Sequence, residues 1–315
     1  MVLTPGPSRQ NSAAASQERP RVPAQAYFVG SAVFHYLGPS FAVLLFARVD
    51  VLGVAWLRIA TAGLIFAIWR RPWRAAGRLD RGAWVSIAGL GATLAVMNVC
   101  FYLAISRLPL ATVAAIEFTG PIVLAAAGAR VRGNLVAVAV AVAGVYLLTH
   151  IRFAGDPLGI GCAFANAGLF ALYIILAHRV ARHSALRGID GLAAAMLLAF
   201  VFVSPVGLGG ALRAFTDPVA IAAGAGVGVT SSVIPYVCDQ LAMARLPRAT
   251  YALFVALLPA TATVIGVIVL RQFPSITDVA GIVLIMIGVG MHRAEPVEAE
   301  ARPLYPGAIR VETEA

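Results

Sequence analysis

Charged residues are scarce in this sequence. They make up 12% of its 315 residues, whereas 60% are hydrophobic, and the mean hydropathy is +0.87. Soluble globular domains carry roughly 25% charged residues, so this composition excludes an ordinary water-soluble fold. Apolar runs long enough to cross a hydrocarbon layer of about 30 Å recur along almost the whole chain. The composition therefore predicts an integral membrane protein that has the lipid bilayer as its solvent.

Lysine is absent, and all 24 basic residues are arginine, which leaves a formal charge of +10. The arginines are dispersed between apolar runs and form no continuous basic stripe, so no nucleic-acid partner is predicted. The three cysteines, Cys100, Cys162 and Cys238, lie in apolar runs without CxxC spacing. This pattern predicts neither a disulfide framework nor a metal site, and no cofactor is indicated.

The N-terminal segment lacks the features of a secretory signal peptide. Residues 1–25 mix prolines with Ser, Ala, Gln and Arg, and they contain no apolar region followed by a cleavage site. We expect residues 1–25 and residues 293–315 to form disordered cytoplasmic tails.

Apolar runs separated by polar breaks predict an all-α integral membrane fold of ten transmembrane helices. The predicted spans cover residues 26–46, 51–69, 83–105, 110–128, 134–149, 157–177, 190–210, 219–243, 249–270 and 278–292. Most of the arginines then fall on the same side of the membrane as both termini. The positive-inside rule places that side, and both termini, in the cytoplasm.

An internal repeat divides the predicted spans into two halves. Shifting the chain by 138 residues aligns the Arg-Leu-Pro turn at 107–109 with the one at 245–247, and Pro121 with Pro259. Each half, 26–149 and 157–292, then contains five spans, and an odd number of crossings gives the halves opposite orientations. Inverted repeats of this kind build many secondary transporters.

Four ionisable residues lie inside the predicted spans: His35, Arg58, Glu117 and Asp239. Charge within a bilayer is costly, so such residues usually face a cavity or a partner. Glu117 could exchange a proton or hold an ammonium group, or it could be a neutral acid bonded to a neighbouring helix. Arg58 could bind a substrate carboxylate, or it could form a fixed pair with Glu117 or Asp239. His35 could simply be packed, and Asp239 could pair with Arg245.

Neutral polar residues and prolines accompany these groups. A proline four residues after Glu117 or His35 removes a helical hydrogen bond to the carbonyl of that residue. Interhelical hydrogen bonds could explain each neutral residue alone, and together they indicate a polar cavity. The neutral candidates are Asn98, Tyr102, Asn166, Tyr173 and Tyr236, and the candidate helix breaks are Pro39, Pro121, Pro235 and Pro259.

Seven stretches of the sequence are distinctive: NVCFYLAI at 98–105, EFTGP at 117–121, LRIA at 57–60, RPWR at 71–74, ALYIIL at 171–176, IPY at 234–236 and ARLP at 244–247. They resemble EamA-type members of the drug/metabolite transporter superfamily, and the threonine/homoserine exporters among them. The likeness runs from about residue 27 to 292.

This resemblance implies a ten-helix carrier of the bacterial inner membrane, with a central cavity that includes Glu117, Arg58 and Asp239. It implies export of a small amino acid or related metabolite, which we expect to be driven by proton exchange. Two residues depart from the family pattern. Leu258 precedes Pro259 where such exporters often have Glu, and Gln272 lies near a position that is often acidic. A different substrate would follow if those acids select it.

Three other functions remain open. The first is efflux of hydrophobic or cationic compounds, because a fold does not determine a substrate. The second is a membrane-embedded enzyme, which the absence of HExxH, GxSxG or a clustered acidic metal site disfavours. The third is a helical scaffold, which leaves the inverted repeat and Glu117 unexplained. An ATP-driven pump is disfavoured because the sequence has no GxxxxGK[ST] loop.

Overall fold

The computed structural model describes residues 23–77, 79–120, 123, 132–153, 156–181, 189–243 and 257–291. Within these ranges every regular element is helical. The predicted tails lie almost wholly outside the described residues, as do parts of the spans predicted at 110–128 and 249–270.

Twelve α-helices are assigned within the described ranges. They are α1 (Ala24–Leu45), α2 (Val51–Arg70), α3 (Trp73–Ala76), α4 (Arg81–Ile105), α5 (Leu110–Glu117), α6 (Arg132–Phe153), α7 (Pro157–Ala181), α8 (Ile189–Ala211), α9 (Pro218–Gly228), α10 (Ile234–Met243), α11 (Leu258–Leu270) and α12 (Ile276–Met291). A 3-10 turn at Leu212–Thr216 follows α8, and a π-helical turn at Val229–Val233 joins α9 to α10.

Six helical segments in the described part of the chain are long and apolar enough to cross a membrane. They are Gln25–Leu45, Val51–Arg70, Arg81–Ile105, Pro157–Val180, Ile189–Thr216 and Pro218–Cys238. Three shorter apolar helices cover Leu135–Leu148, Leu258–Leu270 and Ile276–Met291. The prediction of an all-helical membrane protein is confirmed, and most boundaries lie within a few residues of those predicted.

Acidic side chains define where several helices begin. Asp50, Asp80, Asp156 and Asp217 each accept a hydrogen bond from a backbone N–H in the first turn of the helix that follows, at 2.8–3.2 Å. These N–H groups have no partner within the helix, so such caps stabilise the start of a helix. Helix α12 begins with a reciprocal cap, in which Ser275 and Asp278 accept hydrogen bonds from each other's backbone N–H.

Glycines allow two helix pairs to approach closely. Helix α2 packs along α8, where a Cβ atom at Gly53 would overlap the backbone of Gly210. Helix α6 packs along α12, where a Cβ atom at Gly144 would lie 2.6 Å from the Gly281 carbonyl oxygen. Small residues at such contacts let helix backbones pack tightly in a membrane, where no hydrophobic effect drives helices together.

The remaining contacts surround the interior of the bundle. Helix α4 packs against α7 and α8, while α1 packs against α9, α10 and α11. Helix α2 also contacts α9 and the π-helical turn, and the short α5 lies between α7 and α11. Six elements therefore have faces that converge inside the bundle. They are α1, α2, α4, α5, α7 and the π-helical turn.

Candidate transport site

A cluster of polar side chains lies where these inward faces converge. We call it the central cluster, and it contains His35, Tyr36, Arg58, Asn98, Tyr102, Glu117, Asn166, Ser231 and Ser232. All of these side chains are buried except those of His35 and Arg58, which are partly buried. Buried polar groups normally have hydrogen-bond partners, so the partners in this cluster decide what it can do.

Arg58 is held by the π-helical turn. Its Nε donates a hydrogen bond to Ser232 Oγ at 3.0 Å, and its Nη2 donates to the Ser231 carbonyl oxygen at 3.2 Å. That carbonyl is available because Pro235, four residues later, has no N–H to donate to it. The guanidinium also lies 5.5 Å from the ring centre of Tyr102, within cation–π range. The local helix break therefore orients the cation.

Glu117 ends helix α5 and is 5% exposed. Its Oε1 accepts a hydrogen bond from Asn166 Nδ2 of α7 at 3.1 Å. Its Oε2 is buried and has no hydrogen-bond partner among the described residues. Half of this carboxyl group is therefore bonded, and the other half is available to a proton or a ligand.

Glu117 differs from the other described acidic side chains. Those acids all lie at helix ends, where they cap a helix or pair with an arginine. The ion pairs are Arg48–Asp217 at 3.1 Å, Arg70–Asp190 at 2.7 Å and Arg107–Asp156 at 3.6 Å. Among the acidic side chains that the structure describes, Glu117 is the one that does neither.

The charged groups of the cluster are close to each other but not in contact. Arg58 lies within electrostatic range of both Glu117 and His35, and Tyr36 lies within range of Glu117. No contact ion pair joins Arg58 to a described acid. The sequence-based alternative of a fixed Arg58–Glu117 pair therefore does not describe this structure.

Six buried oxygen atoms of the cluster have no hydrogen-bond partner among the described residues. They are Tyr36 Oη, Asn98 Oδ1, Tyr102 Oη, Glu117 Oε2, Asn166 Oδ1 and Ser231 Oγ. An unpartnered buried polar atom costs free energy, so several in one place indicate a site that a polar ligand completes. No group of metal-binding side chains occurs in the described part of the chain.

The structure brings together six of the predicted site residues: His35, Arg58, Asn98, Tyr102, Glu117 and Asn166. Asn98 donates to the Ala55 carbonyl oxygen at 2.9 Å and so joins α4 to α2 one turn before Arg58. The other two predicted tyrosines are partly buried, Tyr173 stacked on Phe170 of α7 and Tyr236 on α10.

The predicted helix breaks differ from each other in structure. Pro39 lies inside α1, which continues through it, whereas Pro235 lies in the first turn of α10 after the π-helical turn. Pro259 lies in the first turn of α11, where a proline is tolerated because its missing N–H would have no partner there. The structure does not describe the side chain of Asp239 or the residue Pro121.

Three residues of the cluster were not among the predicted site residues. Tyr36, Ser231 and Ser232 are neutral residues of types that occur elsewhere in the apolar runs, so residue type alone does not single them out. A signal for Ser231 was present, because it lies four residues before Pro235, the spacing also seen at Glu117 and His35.

Gln272, one of the two departures from the family pattern, has a defined role at the end of the bundle. Its Oε1 accepts a hydrogen bond at 3.0 Å from the backbone N–H of Leu110, the first residue of α5. Gln272 therefore holds the start of the helix that ends at Glu117. Leu258, the other departure, is partly buried at the start of α11.

Comparisons with known proteins agree with this arrangement. The threonine/homoserine exporter RhtA of Escherichia coli K12 is 32% identical over 242 residues, covering 75% of this chain and 79% of that protein. The exporter of the same name from Salmonella typhimurium LT2 is 31% identical over the same coverage. A crystal structure of a protein with 17% identity covers 85% of this chain and 96% of its own, with a TM-score of 0.56, and supports the fold alone.

Residues 157–292 match the EamA-like transporter family directly. The family resemblance inferred from the sequence is thereby confirmed, and the protein is a membrane transporter rather than an enzyme. With the similarity to the exporters running across both halves, this chain belongs to the EamA-like transporter family.

Proposed function

We propose that this protein is a secondary transporter of the bacterial inner membrane that exports a small, threonine- or homoserine-like amino acid or related metabolite in exchange for protons. The observation that carries this proposal is the Glu117 carboxyl group, which is buried, bonded on one oxygen and free on the other. The relatives that cover most of the chain are threonine/homoserine exporters, which supports the same substrate class.

A carboxyl group in this setting suits proton exchange. Without a cation in contact, its ionised form is poorly stabilised in a buried site, so a proton or a cationic ligand group must balance its charge. A substrate ammonium group and a proton would therefore compete for Glu117. That competition couples binding of the substrate to release of a proton, and binding of a proton to release of the substrate.

The proposed architecture is ten transmembrane helices in two inverted five-helix repeats, 26–149 and 157–292. Its support is that helix contacts recur when the halves are exchanged. Helix α2 packs on its counterpart α8, and α6 on its counterpart α12. The contact of α4 with α7 corresponds to that of α1 with α9 and α10, and the contact of α5 with α7 corresponds to that of α1 with α11. Such symmetry allows one site to open to either side in turn.

The proposed topology has both termini in the cytoplasm. The arginine distribution supports its direction, and the bonds at helix ends support which segments share a side. Arg48–Asp217 and Arg107–Asp156 each join two segments predicted to be outside, and Arg70–Asp190 joins two predicted to be inside. The variants Ser106→Cys and Ala244→Cys, each in a background without native cysteines, test this, and Ser106 is exposed. Labelling by an impermeant maleimide in intact cells is expected only at position 106. Labelling at both positions from one side would contradict inversion.

The test of function uses purified protein in proteoliposomes. The unaltered protein is expected to exchange L-threonine or L-homoserine for protons, measured with radiolabelled substrate and an internal pH dye. Glu117→Gln should abolish the coupled proton movement, because the amide cannot exchange a proton. Ser204→Ala, which removes a partner of Trp56 on the α2–α8 contact, serves as the matched control. Unchanged proton coupling in Glu117→Gln would remove Glu117 from the mechanism.

Efflux of hydrophobic cations is the second candidate function, and one observation favours it. Phe118, the residue after Glu117, contacts Phe170 edge-on at 6.1 Å, and Phe170 stacks on Tyr173 at 5.9 Å. A ring cluster beside a carboxylate suits a cation with apolar groups. Energised extrusion of a fluorescent lipophilic cation, without exchange of either amino acid, would select this function instead.

A further inference from the structure

We propose that the central cluster is a two-pole site for the zwitterion of a small hydroxyl-bearing α-amino acid. The ammonium pole consists of Glu117 Oε2 and Asn166 Oδ1, and the carboxylate pole consists of Arg58 with the hydroxyl groups of Tyr102 and Ser231. This inference rests on the proposed function and adds to it the residues that recognise each group of the substrate.

The ammonium pole is assigned from its free acceptors. The hydrogen bond from Asn166 Nδ2 to Glu117 Oε1 places the two side chains side by side at 3.1 Å, between α5 and α7. Each retains one buried oxygen atom without a partner among the described residues, and the Asn166 side chain is fully buried. An ammonium group carries three donors and no acceptor, so it can satisfy both oxygens at once.

The carboxylate pole is assigned from its free donors. The π-helical turn uses two of the five N–H donors of Arg58, which leaves further donors on the same guanidinium group. The Tyr102 hydroxyl lies close to both Arg58 and Ser231. Both hydroxyl oxygens are buried, and their hydrogens can rotate toward a ligand. A carboxylate accepts hydrogen bonds from all three groups, and guanidinium binds carboxylates strongly.

The two poles are complementary to one ligand that carries both charges. Arg58 and Glu117 form no contact ion pair, so neither charge directly balances the other. Arg58 would repel a ligand that carries only a positive charge, and Glu117 would repel a ligand that carries only a negative charge. An α-amino acid presents its ammonium and carboxylate groups on one carbon atom, and it is attracted at both.

The hydroxyl groups of the cluster favour a substrate with a hydroxyl group of its own. The Tyr102 and Ser231 hydroxyls can each donate and accept, and Asn98 Oδ1, on the same face of α4 as Tyr102, is a further free acceptor. A substrate without a hydroxyl group would leave part of this set unpartnered. Sites that bind a substrate hydroxyl discriminate strongly against analogues that lack it.

The test uses L-threonine and two analogues that each lack one charged group. The first is 3-hydroxybutanoate, which lacks the ammonium group, and the second is 1-aminopropan-2-ol, which lacks the carboxylate. Each compound competes with radiolabelled L-threonine for counterflow in proteoliposomes. The unaltered protein is expected to prefer L-threonine to both analogues. Two ratios are compared for each variant: the preference for L-threonine over 3-hydroxybutanoate, and that over 1-aminopropan-2-ol. A general loss of folded protein lowers all counterflow and leaves both ratios unchanged.

Variants at the two poles should lose different preferences. Asn166→Leu should reduce the preference for L-threonine over 3-hydroxybutanoate by roughly tenfold, since a hydrogen bond to a charged group is lost, and retain the preference over 1-aminopropan-2-ol. Arg58→Lys should show the opposite pattern, because lysine keeps the charge but loses the planar fork of donors. Asn166→Asp, which keeps an acceptor oxygen, should restore the first preference at least in part.

Two controls separate this proposal from the proposed function. Ser204→Ala should keep both preferences, and size-exclusion chromatography should show that every variant is folded. Equal loss of both preferences in Asn166→Leu and Arg58→Lys would overturn the two-pole site while leaving amino-acid export intact. Failure of the unaltered protein to exchange either L-threonine or L-homoserine would overturn the proposed function and this inference together.

Discussion

The helix ends and the central cluster differ in whether their polar side chains have all of their hydrogen-bond partners. At the helix ends, the described acids have partners: Asp217, for example, caps α9 and pairs with Arg48. In the cluster, buried side chains retain oxygen atoms that no described residue satisfies. The first arrangement stabilises the folded protein. The second makes it less stable and leaves groups available for a ligand.

The free-energy difference between these arrangements is substantial. Leaving a buried polar atom without a partner costs about 1–3 kcal/mol, whereas a formed hydrogen bond contributes roughly 1 kcal/mol. Active sites commonly retain such a cost because function requires it. Substitutions in the cluster should therefore abolish transport with little loss of stability, while substitutions at helix ends should reduce stability and leave transport unchanged.

The largest effect is expected from removing the ammonium pole. In the double variant Glu117→Leu with Asn166→Leu, both partners of one buried hydrogen bond are replaced by apolar side chains of similar size. Such a replacement can be neutral or stabilising, so the thermal unfolding temperature should stay the same or rise while counterflow falls to background. A marked fall in the unfolding temperature would show instead that this pair is a structural contact.

A smaller effect is expected at the start of α12. Asp278 Oδ2 accepts hydrogen bonds from the backbone N–H and the hydroxyl group of Ser275, at 3.0 and 2.8 Å. Asp278→Ala removes this cap and should destabilise the protein by about 1 kcal/mol. Transport per folded molecule should not change. The test measures thermal unfolding and counterflow on the same preparation. Asp278→Glu, which keeps a carboxylate at this position, is the control.

The smallest effect is expected at Asp217, and it depends on pH. The hydrogen bond from the Ala220 N–H lowers the pKa of Asp217 below its usual 3.8, and Arg48 and the Val219 N–H lower it further. Its contribution to stability is therefore present above that pH and is lost as the pH falls through the lowered pKa. Asp217→Asn should unfold at a slightly lower temperature than the unaltered protein at neutral pH. The difference should vanish in acid, and a constant difference would rule out this charge effect.

Much of the fold could be predicted from local sequence patterns. Helices α2 and α4 end where predicted to within a residue, because in lipid a helix must satisfy its own backbone hydrogen bonds along the whole apolar run. The short α3, the 3-10 turn after α8 and the π-helical turn were not predicted. Pro235 was predicted as a helix break, but the π-helical form of the turn before it was not. That turn contacts α1 and α2, which are distant in sequence.

The sequence predicted which kinds of side chain form the site, but not the contacts between them. Arg58 and Glu117 stood out because charge is rare within apolar runs. Asn166 was also selected, as one of several neutral candidates, but its bond to Glu117 was not predicted. Ser231 was not selected, because it resembles many neutral residues that merely join helices. Gln272 was noted as a departure from the family pattern, yet its bond to the first residue of α5 appears only in three dimensions.

The sequence by itself determined that the chain lies in a membrane, where most of the described helices begin and end, and that Arg58 and Glu117 lie within apolar helices, because composition and apolar length set those properties locally. Only the tertiary structure decided which buried oxygen atoms find partners. Asn166 reaches Glu117 across 49 residues, and Ser231 reaches Arg58 across 173, so these bonds exist only after distant helices have packed. The atoms left without a partner define the site.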